Sequence, residues 1–239
     1  VLVPLLNPPV RLLALSWVAF HSGWVAPVEE VARAAHAQGI VVALDGIQGL
    51  GVLPDTLPVL GVDALVADGH KWLLGPEGIG LLVTTPELRA RLRPVIAGWR
   101  NVRREGSSFF LRELEFLTDG RRFEPGAMPT ILVAGLAAAL DLVMDAGIGE
   151  IHARVVHHNR TLTQSLLQAG WHVVSPGSGQ PVGGIVAARH PFLPAEEVRR
   201  RLLERSIVVS AREGWVRFSP HFYHTAGELE ALKVILVRL

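Results

Sequence analysis

Cysteine is absent from all 239 residues. Its absence removes disulfides, thiolate metal sites and thiol nucleophiles together and leaves the redox compartment undetermined. Lysine is almost as scarce: among 23 basic residues only Lys71 and Lys233 are lysines. Arginine carries the surface charge, and its guanidinium is permanently protonated, so a retained lysine points to amine chemistry that arginine cannot perform. No surplus of one sign exists either. With 23 basic residues against 22 acidic and a net charge of +1, the chain lacks the field that draws nucleic acid or an anionic membrane, and a small-molecule partner is favoured. Long apolar runs are missing too. The longest, Ile131 to Leu140, is followed by Asp141 and Asp145 and falls short of the ~20 residues a bilayer span needs. A soluble protein is expected, with the cytoplasm as the default location. The first ten residues hold Pro4, Pro8 and Pro9, with no initiating Met and no basic stretch; they read as neither signal peptide nor membrane start, but as a chain entered midway.

What is present is a chain that is 49% apolar, long enough to bury an extensive core of one large domain or one and a half. Leu12 to Phe20 is an apolar, β-rich run ended by the turn His21-Ser22-Gly23, as in a buried strand. Pro27 opens a helix in which Val28, Val31, Ala32 and Ala35 share one face, and Gly39 closes it. Ile40 to Leu44 is the next strand, so the unit is expected to pair in parallel through a right-handed crossover. Ala64 to Ala67 and Ile79 to Thr84 extend this α/β sheet. Arg100 to Gly126 loses periodicity and reads as a long surface excursion. Two helices, Pro129 to Ala146 and Ile148 to Ala169, are expected to link a larger domain (1–151) to a small α+β domain (152–239). In the latter, strands at Gly184 to Ala188, Ile207 to Ser210 and Trp215 to Ser219 alternate with helices from Pro194 and Thr225. Thr225 and Glu228 form a capping-box pattern ahead of an apolar Leu229, Leu232, Leu236 stripe.

In open α/β sheets ligands gather at the carboxyl ends of the strands. Asp45-Gly46-Ile47-Gln48 follows one predicted strand and Asp68-Gly69-His70-Lys71 the next. On neighbouring parallel strands these loops lie side by side, a carboxylate facing an amine across a crevice. Pyridoxal 5'-phosphate (PLP) chemistry needs that pair: a lysine to form the Schiff base, and an acid to keep the pyridine nitrogen protonated so that the ring accepts electrons. Lys71 and Asp45 supply them. His152, His157 and His158 do not converge as i, i+4 metal ligands do. Ser175-Pro176-Gly177-Ser178-Gly179 lacks the following Lys-Ser/Thr of a phosphate loop and reads as a turn.

The segments VVALDGIQGLG, DGHKWLLGPEGIGLL and RRFEPGAMPT, in this order and spacing, resemble the class V aminotransferase family of PLP enzymes, which includes cysteine desulfurases, kynureninases and isopenicillin-N epimerase-like proteins. The resemblance runs from about Leu15 to Leu239. It implies fold type I of the PLP-dependent transferases, with a partial large domain of mainly parallel sheet and a small C-terminal domain. It further implies that Asp45 pairs with the pyridine nitrogen, Gln48 bonds the cofactor's phenolic oxygen, His70 contacts the phosphate and Lys71 forms the Schiff base. Arg217 falls where the family keeps the arginine that binds the substrate α-carboxylate. Arg122 to Gly126 would approach the other subunit's site in a homodimer, and Gly98-Trp99 is loosely similar to a kynureninase phosphate contact.

The departures also carry expectations. Asp68 stands where many relatives have a phosphate-binding Ser, and Phe20 where cysteine desulfurases have an Asn. Without cysteine the persulfide chemistry of a desulfurase is excluded. The family has a further stretch ahead of this chain's start, carrying the main phosphate-binding loop and the ring stacked on PLP, so the chain is expected to be N-terminally truncated. The leading expectation is a PLP enzyme acting on an amino acid, aminotransferase-like because transamination needs no extra residue; racemisation, epimerisation and side-chain elimination use the same machinery. The alternative is a non-catalytic PLP-fold protein or partner subunit.

Overall fold

The computed structural model describes residues 10–104, 110, 113–175 and 181–239. Leu12–Ser16 (β1) leads through a loop to the helix Val28–His36 (α1) and on to Val41–Asp45 (β2); the short helix Leu57–Leu60 (α2) precedes Ala64–Asp68 (β3) and Gly80–Thr84 (β4). The sheet order is β1-β2-β3-β4. β1, β2 and β3 run parallel, in the register Ser16↔Asp45 and Asp45↔Val66, whereas β4 pairs antiparallel with β3. Only the loop 69–79 separates β3 from β4, short of the crossover of a dozen residues or more that a parallel pair needs, so the two strands pair antiparallel.

α1 follows the expected face: Val28, Val31, Ala32 and Ala35 are buried, with Glu29 and Glu30 in the first turn. It ends earlier than expected, at His36, and Gly39 takes the left-handed φ of 71° in the turn beyond. β1 is also shorter than the apolar run. After Ser16 the chain leaves the ladder, because Trp17 and Val18, 2% and 1% exposed, are drawn into the core, and Val18 bridges back to Val25.

Pro86–Arg91 forms α3, capped by Thr85. Within the long excursion a 3-10 turn covers Gly120–Phe123, and Val102 bridges Phe116. Thr130–Ala146 (α4) and Ile148–Gln168 (α5) follow, bent by 77° across Gly147. Among the described residues no single helix is long and apolar enough to cross a membrane. α5 serves two cores: Ile151 and Val155 pack with α1 and the first sheet, Leu162 and Leu166 with the second.

The second sheet, in the order β5-β6-β8-β7, is antiparallel throughout: His172–Val173 (β5), Val186–Arg189 (β6), Ser210–Arg212 (β7) and Trp215–Phe218 (β8). Ala195–Leu203 (α6) and Ala226–Val237 (α7) complete it, α7 with the capping box formed by Thr225 and Glu228. β7 begins where the Ile207 to Ser210 run ends. Ile207 and Val209 instead pack against the second core from a loop. The Ser175 to Gly179 stretch lies, apart from Ser175, outside the described residues; Ser175 itself accepts from the Ala187 N–H at 2.6 Å.

Candidate functional site

Parallel pairing aligns the carboxyl ends of β1, β2 and β3 along one edge, and the loops leaving them meet there. Asp45 ends β2. Its Oδ1 accepts from the Ile47 N–H at 3.0 Å and its Oδ2 from the Ser16 hydroxyl at 3.4 Å, a neighbour supplied by the β1–β2 register. The carboxylate stays exposed, on an open hollow of about 430 Å³ that Ile47, Val66, Asp68 and Gly80 also line. Lys71 is not part of that lining. Asp68 ends β3 on the same side, and His70 Nδ1 lies 3.9 Å from its Oδ2, too long for a hydrogen bond.

The loop that carries Lys71 is tightly closed. Gly69 N–H donates to the Ile79 carbonyl and Gly75 N–H to the Gly69 carbonyl, both at 2.8 Å, and Leu74 sits at φ 58°, where branched side chains are rare. α4 braces the loop from below: a Cβ on Gly75 would come 2.7 Å from Leu136 Cδ1. Lys71 is half-buried, and its ammonium has no hydrogen bond or ion pair with any described residue, whereas Lys233 lies 3.6 Å from Glu230. An amine with no anion committed to it is free to meet a carbonyl compound.

Gln48 is 6% exposed, and its Oε1 accepts the Trp72 indole N–H at 3.1 Å. This one bond joins the loop after β2 to the loop after β3. Trp72, 4% exposed, also lies against the second sheet's side of the molecule: its ring stacks on His221 at 4.5 Å and 23°, and a Cβ on Gly184 would collide with its Cζ2. His221 is stacked in turn on Tyr223 at 4.6 Å. Burial, reinforced by His224, pushes the His221 imidazole down to about 4. Since its Nδ1 accepts from the Phe222 N–H at 3.0 Å, the neutral ring carries its proton on Nε2.

Arg217 reaches across from β8. Its Nη1 donates to the Phe20 carbonyl, in the loop after β1, at 2.9 Å, and its Nη2 reaches the Ser210 hydroxyl at 3.4 Å. No carboxylate pairs with it among the described residues, and its Nε is buried without a partner. Burial, with the nearby Arg212 charge, pushes the guanidinium below its ordinary value. A buried, unspent donor beside two neutral acceptors is an arrangement that an added carboxylate would complete.

Asp45, Gln48, His70 and Lys71, each singled out from the sequence, therefore lie at or after the carboxyl ends of β2 and β3, and Arg217 bonds the loop that leaves β1. Sequence reasoning missed Trp72 and His221. Trp72 stands next to Lys71, but a tryptophan there reads as core packing, and nothing in the sequence pairs it with a histidine 149 positions later. The three histidines of α5 do not gather: His152 Nδ1 lies 3.1 Å from the Val52 carbonyl, and His158 is buried and pushed down by burial and Arg154. Among the described residues no group of three or more His, Asp or Glu side chains is placed to hold a metal.

The geometry has counterparts. The chain is 32% identical over 242 residues to the isopenicillin N epimerase of Streptomyces clavuligerus, covering 96% of this chain and 60% of that protein. It is 30% identical over 225 residues to the uncharacterized aminotransferase YcbU of Bacillus subtilis, covering 91% and 56%. Among solved structures, a mutant of C-DES with glycine covalently linked to its PLP cofactor superposes with a TM-score of 0.90 at 25% identity, over 99% of this chain and 62% of that one. The apo cysteine desulfurase of Thermococcus onnurineus NA1 gives 0.87 at 25%, over 95% and 59%. The chain thus spans under two thirds of the length of these relatives. The family model for aminotransferase class V matches residues 2–232, nearly the whole chain, and the chain belongs to the class V aminotransferase family.

Proposed function

We propose that these residues form the cofactor-holding part of a PLP-dependent enzyme acting on an amino acid, aminotransferase-like in its chemistry, with Lys71 as the Schiff-base lysine. The observation that carries this reading is the unpaired ammonium of Lys71, held by a closed loop at the same strand edge as Asp45 and Gln48. PLP, when bound, supplies an electron sink for charge developing at the substrate α-carbon. This chain's residues do the rest. Lys71 would hold the cofactor through its amine, and as a free amine its Nζ would accept and return the proton. Asp45, fixed by two donors to its oxygens, offers an anion to the ring nitrogen. Gln48 offers an amide N–H to the ring oxygen, and His70 an imidazole to the phosphate. Arg217 takes the substrate α-carboxylate.

Residues 1–151 and 152–239 are read as the large and small domains, with the site between them. A homodimer fits the same reading. α4 exposes Ile131, Leu142 and Met144, and the sheet face exposes Val66 and Leu82, apolar surface that a second subunit or the remainder of the protein would cover. The 239 residues hold no cysteine for a persulfide, which favours transamination over desulfuration.

Borohydride reduction of the PLP-loaded full-length protein, followed by peptide mapping, tests the assignment. The label is expected on Lys71. A label on Lys233 overturns the lysine assignment, and no label at all favours a non-catalytic member of the fold.

A further inference from the structure

A buried carboxamide presents opposite chemistry on its two ends, and its oxygen and nitrogen are nearly isosteric. Which end meets a neighbour is decided by the hydrogen bonds around it. Gln48 is 6% exposed, and the indole N–H of Trp72, 3.1 Å away, is a donor with no acceptor capacity. The atom facing it must be Oε1. The flipped amide would set two donors against each other, which a buried site does not tolerate. The N–H₂ of Gln48 is therefore directed away from Trp72.

Trp72 cannot easily turn aside. His221 covers one face of the ring at 4.5 Å, Gly184 closes on its edge at Cζ2, and a Cβ on Gly51 would lie 3.0 Å from the Trp72 backbone carbonyl. Two of these contacts, His221 and Gly184, come from the part of the chain that also supplies Arg217.

We propose that Trp72 is a positioning residue for the cofactor: by fixing the flip state of Gln48 it keeps an amide donor, rather than an acceptor, available to the ring oxygen of PLP. This rests on the proposed function above. A donated N–H draws electron density from that oxygen and favours the less protonated form of the bound cofactor. With Trp72 changed, Gln48 is free to turn its carbonyl to the oxygen, and the donor is lost for part of the time.

The test is the midpoint of the pH-dependent visible absorbance of the PLP-loaded full-length protein. Trp72→Phe keeps an aromatic ring for His221 and removes the N–H; Trp72→Leu, which likewise offers no donor, is a second variant read in the same way should the first not fold. The midpoint is expected to rise by about 1 unit in Trp72→Phe, in the same direction as in Gln48→Leu. In the double variant the rise should be no larger than in the larger single one, because both changes remove the same donor. An unmoved midpoint in Trp72→Phe, or two shifts that add, overturns the inference while leaving the proposed function standing. A wild-type protein with no visible band takes down the proposed function, and the inference with it.

Discussion

Arg217 Nη1 donates to the carbonyl oxygen of Phe20 at 2.9 Å, across 197 positions of chain. The bond ties β8 of the second sheet to the loop leaving β1 of the first. It also holds the guanidinium against the loop beyond the carboxyl end of β1, with the buried Nε still unspent. The planar fork offers two parallel donors to a carboxylate, a geometry that ammonium cannot copy.

For Arg217, steady-state kinetics of the full-length enzyme should separate binding from chemistry. A carboxylate clamp made equally in ground and transition states chiefly raises KM when lost. Arg217→Ala is expected to lower kcat/KM for an amino acid by roughly 100-fold, the effect of removing one partner of a buried charged pair. The corresponding decarboxylated amine should lose little. Equal losses on both compounds would remove Arg217 from the substrate site.

His221 predicts the direction of acid sensitivity. It titrates at about 4 in the folded chain against 6.5 as an ordinary imidazole. Between these values the unfolded chain binds more protons, so stability is level above pH 6.5 and falls as pH drops toward 4, by at most about 3 kcal/mol from this residue. His158 and His190 are also pushed down by burial and act in the same sense. Urea unfolding at pH 7.5 and pH 4.5 should show the loss. His221→Phe, which keeps a ring between Trp72 and Tyr223, should reduce it, and a slope identical to wild type would refute the assignment.

Gly184 and Trp72 make a steric prediction. Because a Cβ at Gly184 collides with the far edge of the indole, Gly184→Ala is expected to destabilise by about 1–3 kcal/mol, the usual cost of overpacking. In a chain of this size that is a fall of roughly 3–10 °C in Tm. Trp72→Phe removes the colliding atoms, so Gly184→Ala should cost less in that background than in wild type; equal costs would mean that the indole is not the obstacle.

Thr225 closes the last helix. Its hydroxyl accepts from the Glu228 N–H at 3.3 Å while Glu228 Oε2 accepts from the Thr225 N–H at 2.7 Å. Thr225→Ala should lower stability by about 1 kcal/mol, whereas Thr225→Ser, which keeps the oxygen, should stay near wild type. Chemical denaturation of the three proteins is the measurement, and indistinguishable midpoints would show that the cap is not contributing.

Much of the fold was legible because it is local. Val28, Val31, Ala32 and Ala35 announce a helix face by spacing alone, and they are buried as expected. The Thr225 to Glu228 pattern names its own capping box. The ends of elements were less legible. The apolar run from Leu12 does not show that Trp17 and Val18 leave the ladder for the core, because strand and core interior favour the same residue types. Ile207 to Val209 has strand composition, yet it packs as a loop beside β7 for the same reason.

The sequence by itself determined the chemistry available: Asp45-Gly46-Ile47-Gln48 and Asp68-Gly69-His70-Lys71 placed after two strands, Arg217 near the end of another, almost no competing lysine and no thiol. These follow from side-chain identity and short-range period, which the chain carries at every position. Only the tertiary structure decided how those groups face one another. The β1–β2 register sets Ser16 beside Asp45, the Trp72 indole selects the orientation of the Gln48 amide, and His221 and Gly184 clamp Trp72 from another part of the chain. Such pairings join residues tens to hundreds of positions apart through packing and directional hydrogen bonds, and local spacing holds no record of them.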